Sequence, residues 1–188
     1  MVKKNLVKSA LLTLVLLSGL QLRAQLFQRG NLSDTIDVVN YHLHLDVTDP
    51  ASQTISGKAG IRFTSPVSAL SLLTLELKQL QVDSVRFSDE TALPFSQTGE
   101  RLQISLPDPV SPGDTTLVWI YYHGQPFHEA WGGFHFAGSY AFNLGVGFES
   151  IPHNLGKTWF PCVDDFIDRA FYDYHIRVSN QHTAICGG

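Results

Sequence analysis

Methionine, cysteine and charge are all scarce in this chain: one methionine, two cysteines and 16% Asp, Glu, Lys and Arg in 188 residues. Two cysteines are too few for a disulfide-stapled miniprotein, whereas 44% hydrophobic residues over this length suffice for one domain with its own core. No apolar run reaches the roughly 20 residues that a bilayer span needs; the best, residues 10 to 20, is broken by Thr13, Ser18 and Gly19. There is no G-x-S-x-G elbow, and Gly138-Ser139-Tyr140 is not one. Gly145-Val146-Gly147 lacks the third glycine and the helix of a phosphate cradle. Cys162 sits between Pro161 and Asp164 without a thiol-protease signature. Neither a repeat nor a low-complexity linker divides the chain.

The first residues read as an address rather than a fold. Lys3, Lys4 and Lys8 precede the apolar run, and Ala24 offers a small residue for cleavage, so residues 1 to 24 are expected to be a signal peptide and residues 25 to 35 a short leading segment. Export to the periplasm or the extracellular space follows, with no stable membrane anchor. Removal of the peptide takes four basic residues and no acidic ones, leaving 9 basic against 17 acidic, a balance of −8. A chain this acidic is a poor partner for nucleic acid. An exported protein matures where disulfides persist, so Cys162 and Cys186 are expected to bridge across the last strand, closing a loop worth about 3 kcal/mol. Two buried free thiols are the competing reading.

From residue 36 onward the pattern has period two. Tyr41, Leu43, Leu45 and Val47 alternate with His42, His44 and Asp46; Ile55, Ala59, Ile61 and Phe63 alternate with Ser56, Lys58 and Arg62. Leu73, Leu75 and Leu77, then Val85 and Phe87, then Leu102, Ile104 and Leu106, continue it, with turns at Thr98-Gly99-Glu100 and Ser111-Pro112-Gly113-Asp114. Residues 117 to 122 are apolar on both faces, as in a strand buried between layers. Tyr172, Tyr174, Ile176 and Val178 against Asp173, His175, Arg177 and Ser179 make a late strand. The expected fold is all-β, a β-sandwich or a curved, saddle-like antiparallel sheet. Residues 123 to 160 break the alternation and are rich in glycine and aromatics, including Trp131, Phe134, Phe136, Tyr140, Phe142 and Phe148. Such a stretch is either an irregular packed edge or a surface that meets another domain.

The most specific stretch is Trp159-Phe160-Pro161-Cys162-Val163-Asp164-Asp165-Phe166-Ile167-Asp168-Arg169-Ala170. It resembles the W-F-P-C-x-D-x-x-x-x-K/R-A/S signature near the end of the N-terminal β domain of aminopeptidase N-like zinc metallopeptidases, of the bacterial exported type. Tyr41-His42-Leu43-His44-Leu45-Asp46-Val47, Ile55-Ser56-Gly57-Lys58-Ala59, Ile120-Tyr121-Tyr122-His123-Gly124-Gln125-Pro126, Trp131-Gly132-Gly133-Phe134, Pro152-His153-Asn154 and Ala184-Ile185-Cys186-Gly187-Gly188 resemble further segments of that domain in the same order. The resemblance covers residues 36 to 188. It implies a domain that ends before the family's last β strand and catalytic domain.

The family's catalytic motifs are missing. Zinc there is held by H-E-x-x-H on a helix, where two histidines one turn apart face one metal and the glutamate between them acts as base. The nearest string here, His128-Glu129-Ala130-Trp131-Gly132, has glycine in place of the second histidine. G-x-M-E-N is also absent, since Met1 is the only methionine. His42 and His44 share one side of a strand without a third ligand, so a solvated face is the simpler reading than a metal. His153 and His175 read as structural or exposed. No cofactor is expected in this chain, zinc being implied only for the full-length enzyme, and the chain is expected to be inactive alone.

What the resemblance implies is a supporting role. The domain packs on the catalytic domain of the same polypeptide, lines the substrate cleft and lends a polar residue to the free α-amino group of the peptide. Glu149, in Gly147-Phe148-Glu149-Ser150-Ile151-Pro152, is the candidate for that contact, the alternative being an exposed loop glutamate. Trp159, Phe160, Pro161, Cys162, Asp164 and Arg169 form the structural signature, with Arg169 expected to pair with Asp164, Asp165 or Asp168. The competing function is a stand-alone exported β-sandwich that binds a partner through residues 131 to 148.

Overall fold

The computed structural model describes residues 32–66 and 69–187, so the expected signal peptide and most of the short segment after it lie outside the described residues. Eleven strands run in chain order: β1 (Asp37–Asp46), β2 (Ile55–Thr64), β3 (Leu70–Glu76), β4 (Gln81–Phe87), β5 (Phe95–Thr98), β6 (Arg101–Val110), β7 (Thr115–Gly124), β8 (His128–Glu129), β9 (Gly132–Ala137), β10 (Tyr140–Leu144) and β11 (Phe171–Arg177). Among the described residues helix is confined to short 3-10 turns.

The strands assort into a five-stranded sheet in the order β11-β1-β2-β7-β4 and two three-stranded sheets, β3-β6-β5 and β10-β9-β8. The period-two pattern explains the first two. Tyr41, Leu43 and Leu45 of β1, Ala59, Ile61 and Phe63 of β2, and Val118, Ile120 and Tyr122 of β7 turn inward. They share one buried cluster with Leu73 and Leu75 of β3 and Leu102, Ile104 and Leu106 of β6. Burying a side chain of this size contributes about 1.5–3 kcal/mol, so this shared core is the main stabilising term. The all-β expectation holds.

Two expectations are corrected. The large sheet is mixed, because β11 lies parallel to β1, from Asn40 opposite Phe171 to Asp46 opposite Arg177, while the other pairings are antiparallel. Parallel neighbours need a long crossover, and the whole chain between β1 and β11 supplies it. Strand β7 is internal to its sheet but not buried on both faces: Leu117, Trp119 and Tyr121 are only half-buried. Their outer face is covered by side chains instead of a layer. The Trp119 ring lies over Gly60, where a Cβ would come within 2.6 Å of it, and the Lys58 ammonium sits 4.1 Å above the ring.

The return to β11 is anchored in the core by Tyr41. Its ring meets Phe160 edge-on at 5.3 Å and stacks on Tyr172 at 5.1 Å, and its hydroxyl accepts the Val163 N–H at 3.1 Å. Burial pushes the Tyr41 phenol well above its ordinary pKa, so it remains neutral. Tyr41→Phe keeps the ring but orphans a buried N–H, and is expected to cost about 1–3 kcal/mol in urea unfolding. A loss below about 0.5 kcal/mol would show that the hydroxyl does not hold the turn.

Candidate functional site

Two neighbouring features occupy the region between β10 and β11. The first is the signature turn. Its backbone is stitched to the end of β3: the Cys162 N–H donates to Glu76 O and the Glu76 N–H to Cys162 O, at 3.0 and 2.8 Å, and the Lys78 N–H donates to Lys157 O at 2.8 Å. Trp159 and Phe160 pack edge-on against each other at 4.5 Å. Pro161, Cys162 and Val163 are buried and Asp164 is half-buried.

The charge that organises this turn is Lys157, only 3% exposed. Its ammonium lies 3.2 Å from Glu76, 3.3 Å from Glu100 and 3.9 Å from Asp164. Burial pulls the ammonium pKa down, but the three carboxylates outweigh it and hold the pKa above its ordinary value. Asp164 accepts the Gly156 N–H through Oδ1 at 3.1 Å, while its Oδ2 is buried without a hydrogen bond among the described residues. Burial, against the pull of Lys157, pushes the Asp164 carboxyl up to about 6. Arg169 is exposed, and the cation beside Asp164 is Lys157. Nothing in the alternating pattern marks Lys157, which stands in an irregular Gly-Lys-Thr turn.

The second feature is the loop after β10. The Glu129 side chain, at the end of β8, accepts the N–H groups of Glu149 and Ser150, each at 2.9 Å, and the Ser150 hydroxyl at 2.6 Å. Those bonds hold its carboxyl below the usual range. Close approach requires glycine on both sides: a Cβ on Gly132 would lie 2.6 Å from the Gly147 Cα, and one on Gly147 would collide with the Glu129 carboxylate. Glu149 itself is exposed, flanked by Phe148 at 74% and Ile151 at 89% exposure. Trp131 and Val146, next in sequence to the two touching glycines, are also exposed. The near-miss string at His128 therefore starts in a strand, and its glutamate is a loop anchor. Sequence reasoning missed that role, although the paired glycines after it were a signal of close backbone approach.

The expected Cys162–Cys186 bridge is not formed. Cys162 is buried beside the turn and Cys186 is exposed in the segment after β11, both as free thiols. The Cys162 side chain is committed inward, its Sγ 3.6 Å from where a Gly156 Cβ would stand, and burial raises its pKa well above the ordinary value. Bridge formation would need that sulfur to leave the core. Iodoacetamide applied to the native, unreduced chain is expected to label Cys186 alone, with Cys162 labelled only after unfolding; no labelling in either state would reveal a bridge.

Among the described residues no group of three or more His, Cys, Asp and Glu side chains comes together to hold a metal. His42 lies 2.8 Å from Asp173, and His44 stacks on His175 at 4.4 Å, so the paired histidines of β1 are engaged separately. A zinc ion finds no ligand set in these residues.

No family model matches the chain, and no curated protein matches it. Solved structures do. An M1 zinc metallopeptidase from Deinococcus radiodurans, as a mutant bound to a Tyr-Ser-Ala substrate, aligns with TM-score 0.66 at 25% identity over 77% of this chain and 33% of that one. The same organism's M1 zinc metallopeptidase in another structure aligns with TM-score 0.65 at 25% identity over 77% and 32%. A two-domain M1 zinc metallopeptidase mutant bound to L-arginine aligns at 0.68 and 24% identity over 78% and 33%. The chain thus has the fold of one part of these enzymes and spans about a third of their length.

The raised carboxyl of Asp164 has a measurable sign. A group whose folded pKa of about 6 exceeds its ordinary value of 3.8 binds its proton more tightly when native. Its stabilising contribution is complete below the lower value and lost as pH rises through the upper one. Asp164→Asn retains an oxygen for the Gly156 N–H. Relative to the native chain, it is expected to remove a fall in urea-unfolding stability between about pH 4 and 6; parallel pH profiles for the two would refute the assignment.

Proposed function

We propose that this chain is the non-catalytic N-terminal domain of an exported zinc-dependent aminopeptidase, which supports the catalytic domain of the same polypeptide and lines one side of its substrate cleft. The observation that carries the reading is the fold match to M1 zinc metallopeptidases over most of this chain and a third of theirs, with the Trp159 to Ala170 signature at the sequence level. In this reading the metal and the chemistry belong to the remainder of the polypeptide. Export rests on the sequence of residues 1 to 24.

The irregular edge supports a docking role. Trp131, Val146, Phe148 and Ile151 are large apolar side chains left exposed around one loop. A covering domain would remove them from water. Glu149 stands among them with its carboxylate outward. The similar enzymes are described with a Tyr-Ser-Ala substrate, L-tryptophan and L-arginine, and the two amino acids carry a free α-amine beside the carboxylate. A carboxylate at the rim of a partly dry cleft would hold such an ammonium by a charge-assisted hydrogen bond. A stand-alone binding module using residues 131 to 148 is the competing reading.

The test is Glu149→Gln in the polypeptide that joins this domain to its catalytic domain. A hydrogen bond to a charged group contributes about 1.5–3 kcal/mol, so KM for unblocked peptides is expected to rise roughly 10- to 100-fold with a smaller change in kcat. An unchanged KM removes Glu149 from the amine site. A gene encoding no catalytic domain after this one turns the question to the binding module.

A further inference from the structure

The loop that presents Glu149 has no regular hydrogen-bonding partner strand of its own. From Gly145 to Leu155 its backbone is tied back on itself, the Gly147 N–H donating to His153 O at 2.8 Å and the Leu155 N–H to Gly145 O at 2.9 Å. The N–H groups of Glu149 and Ser150 point to the rest of the domain, and there they meet one side chain, Glu129. That carboxylate is 7% exposed and takes the Ser150 hydroxyl as well. An anionic acceptor with two oxygens can satisfy both N–H donors and the hydroxyl at once, which no neutral side chain of the same size can do. Gly132 and Gly147 let β9 and the loop close to backbone contact, with the Glu129 carboxylate against Gly147.

We infer that Glu129 is a positioning residue for the recognition of the substrate's free α-amine: its buried carboxylate fixes the backbone of Glu149 and Ser150 and thereby sets where the exposed Glu149 carboxylate stands. The inference rests on the proposed function, in which Glu149 is the amine ligand. The division of labour between the two acids follows from their surroundings. Glu129 is engaged by three donors and lies inside, so it does not reach substrate; Glu149 offers a backbone N–H to Glu129 and leaves its own side chain outward. A loop held by one carboxylate can lose its geometry while the sandwich beneath remains intact, because the core cluster does not include it.

Two readouts separate this role from general stability. In the chain itself, Glu129→Gln leaves one oxygen and one NH2 group facing three donors. Amide hydrogen exchange at Glu149 and Ser150 is expected to accelerate at least about fivefold, with the core strands β1, β2 and β7 unchanged. In the polypeptide with its catalytic domain, the same variant is expected to raise KM for unblocked peptides about tenfold, in parallel with Glu149→Gln, with kcat little altered. Ser150→Ala, which removes only the hydroxyl contact, is expected to move both readouts in the same direction by less, and keeps the test open should Glu129→Gln fail to fold. Unchanged exchange, or an unchanged KM beside a Glu149→Gln variant whose KM rises, overturns the positioning role alone. An unchanged KM for Glu149→Gln overturns the amine reading and this inference with it, even if the loop exchange accelerates.

Discussion

One buried ammonium holds together what the core alone does not. Lys157 lies in an irregular turn, far in sequence from Glu76 and Glu100, yet its Nζ reaches both and approaches Asp164. The carboxylates come from the end of β3, the turn into β6 and the signature turn itself, so three segments meet at one charge. Burying an ammonium without partners would be costly; surrounded by carboxylates and with Lys78 also on Glu100, it becomes a fixed point. From that point the chain turns under Tyr41 and enters β11, which closes the large sheet as a parallel edge strand.

This fixed point explains why the signature residues occur in the turn at all. Trp159 and Phe160 fill the space under β1 and β11, Cys162 pairs its backbone with β3, and Asp164 satisfies the Gly156 N–H while facing the ammonium. All of them are taken up by contacts within the domain. The motif most informative about kinship is therefore architectural, and the residue proposed to meet a ligand lies upstream in a loop held by a different acid. The signature turn and the loop carrying Glu149 are adjacent: Asn154, whose Nδ2 donates to Asp164 O, is the link between them, since its neighbour Leu155 bonds back to Gly145.

Two electrostatic arrangements of opposite kind sit side by side. Glu129 is a buried acid stabilised as a carboxylate by three donors, whereas Asp164 is a buried acid with one oxygen left over, which burial drives toward its protonated form. The difference is that desolvation by burial is the largest influence on Asp164, whereas hydrogen bonds to the ionised state are the largest on Glu129. It places a rigid anchor under the loop that carries Glu149 and a pH-responsive group under the turn next to it.

The order of strands along the chain was legible in the alternation itself, because inward residues of β1, β2, β3, β6 and β7 repeat every second position and turns such as Ser111-Pro112-Gly113-Asp114 punctuate them. The signature turn and the exposed glutamate at 149 were also visible as residues. What the sequence could not decide was direction and pairing: that β11 returns parallel to β1, that Lys157 rather than Arg169 meets Asp164, that Cys162 points inward away from Cys186, and that Glu129 anchors the loop. Periodicity is a local property of the backbone and survives in the one-dimensional pattern. Partner choice among charges and thiols depends on which segments the tertiary fold brings within a few ångströms, and only the folded chain sets those distances.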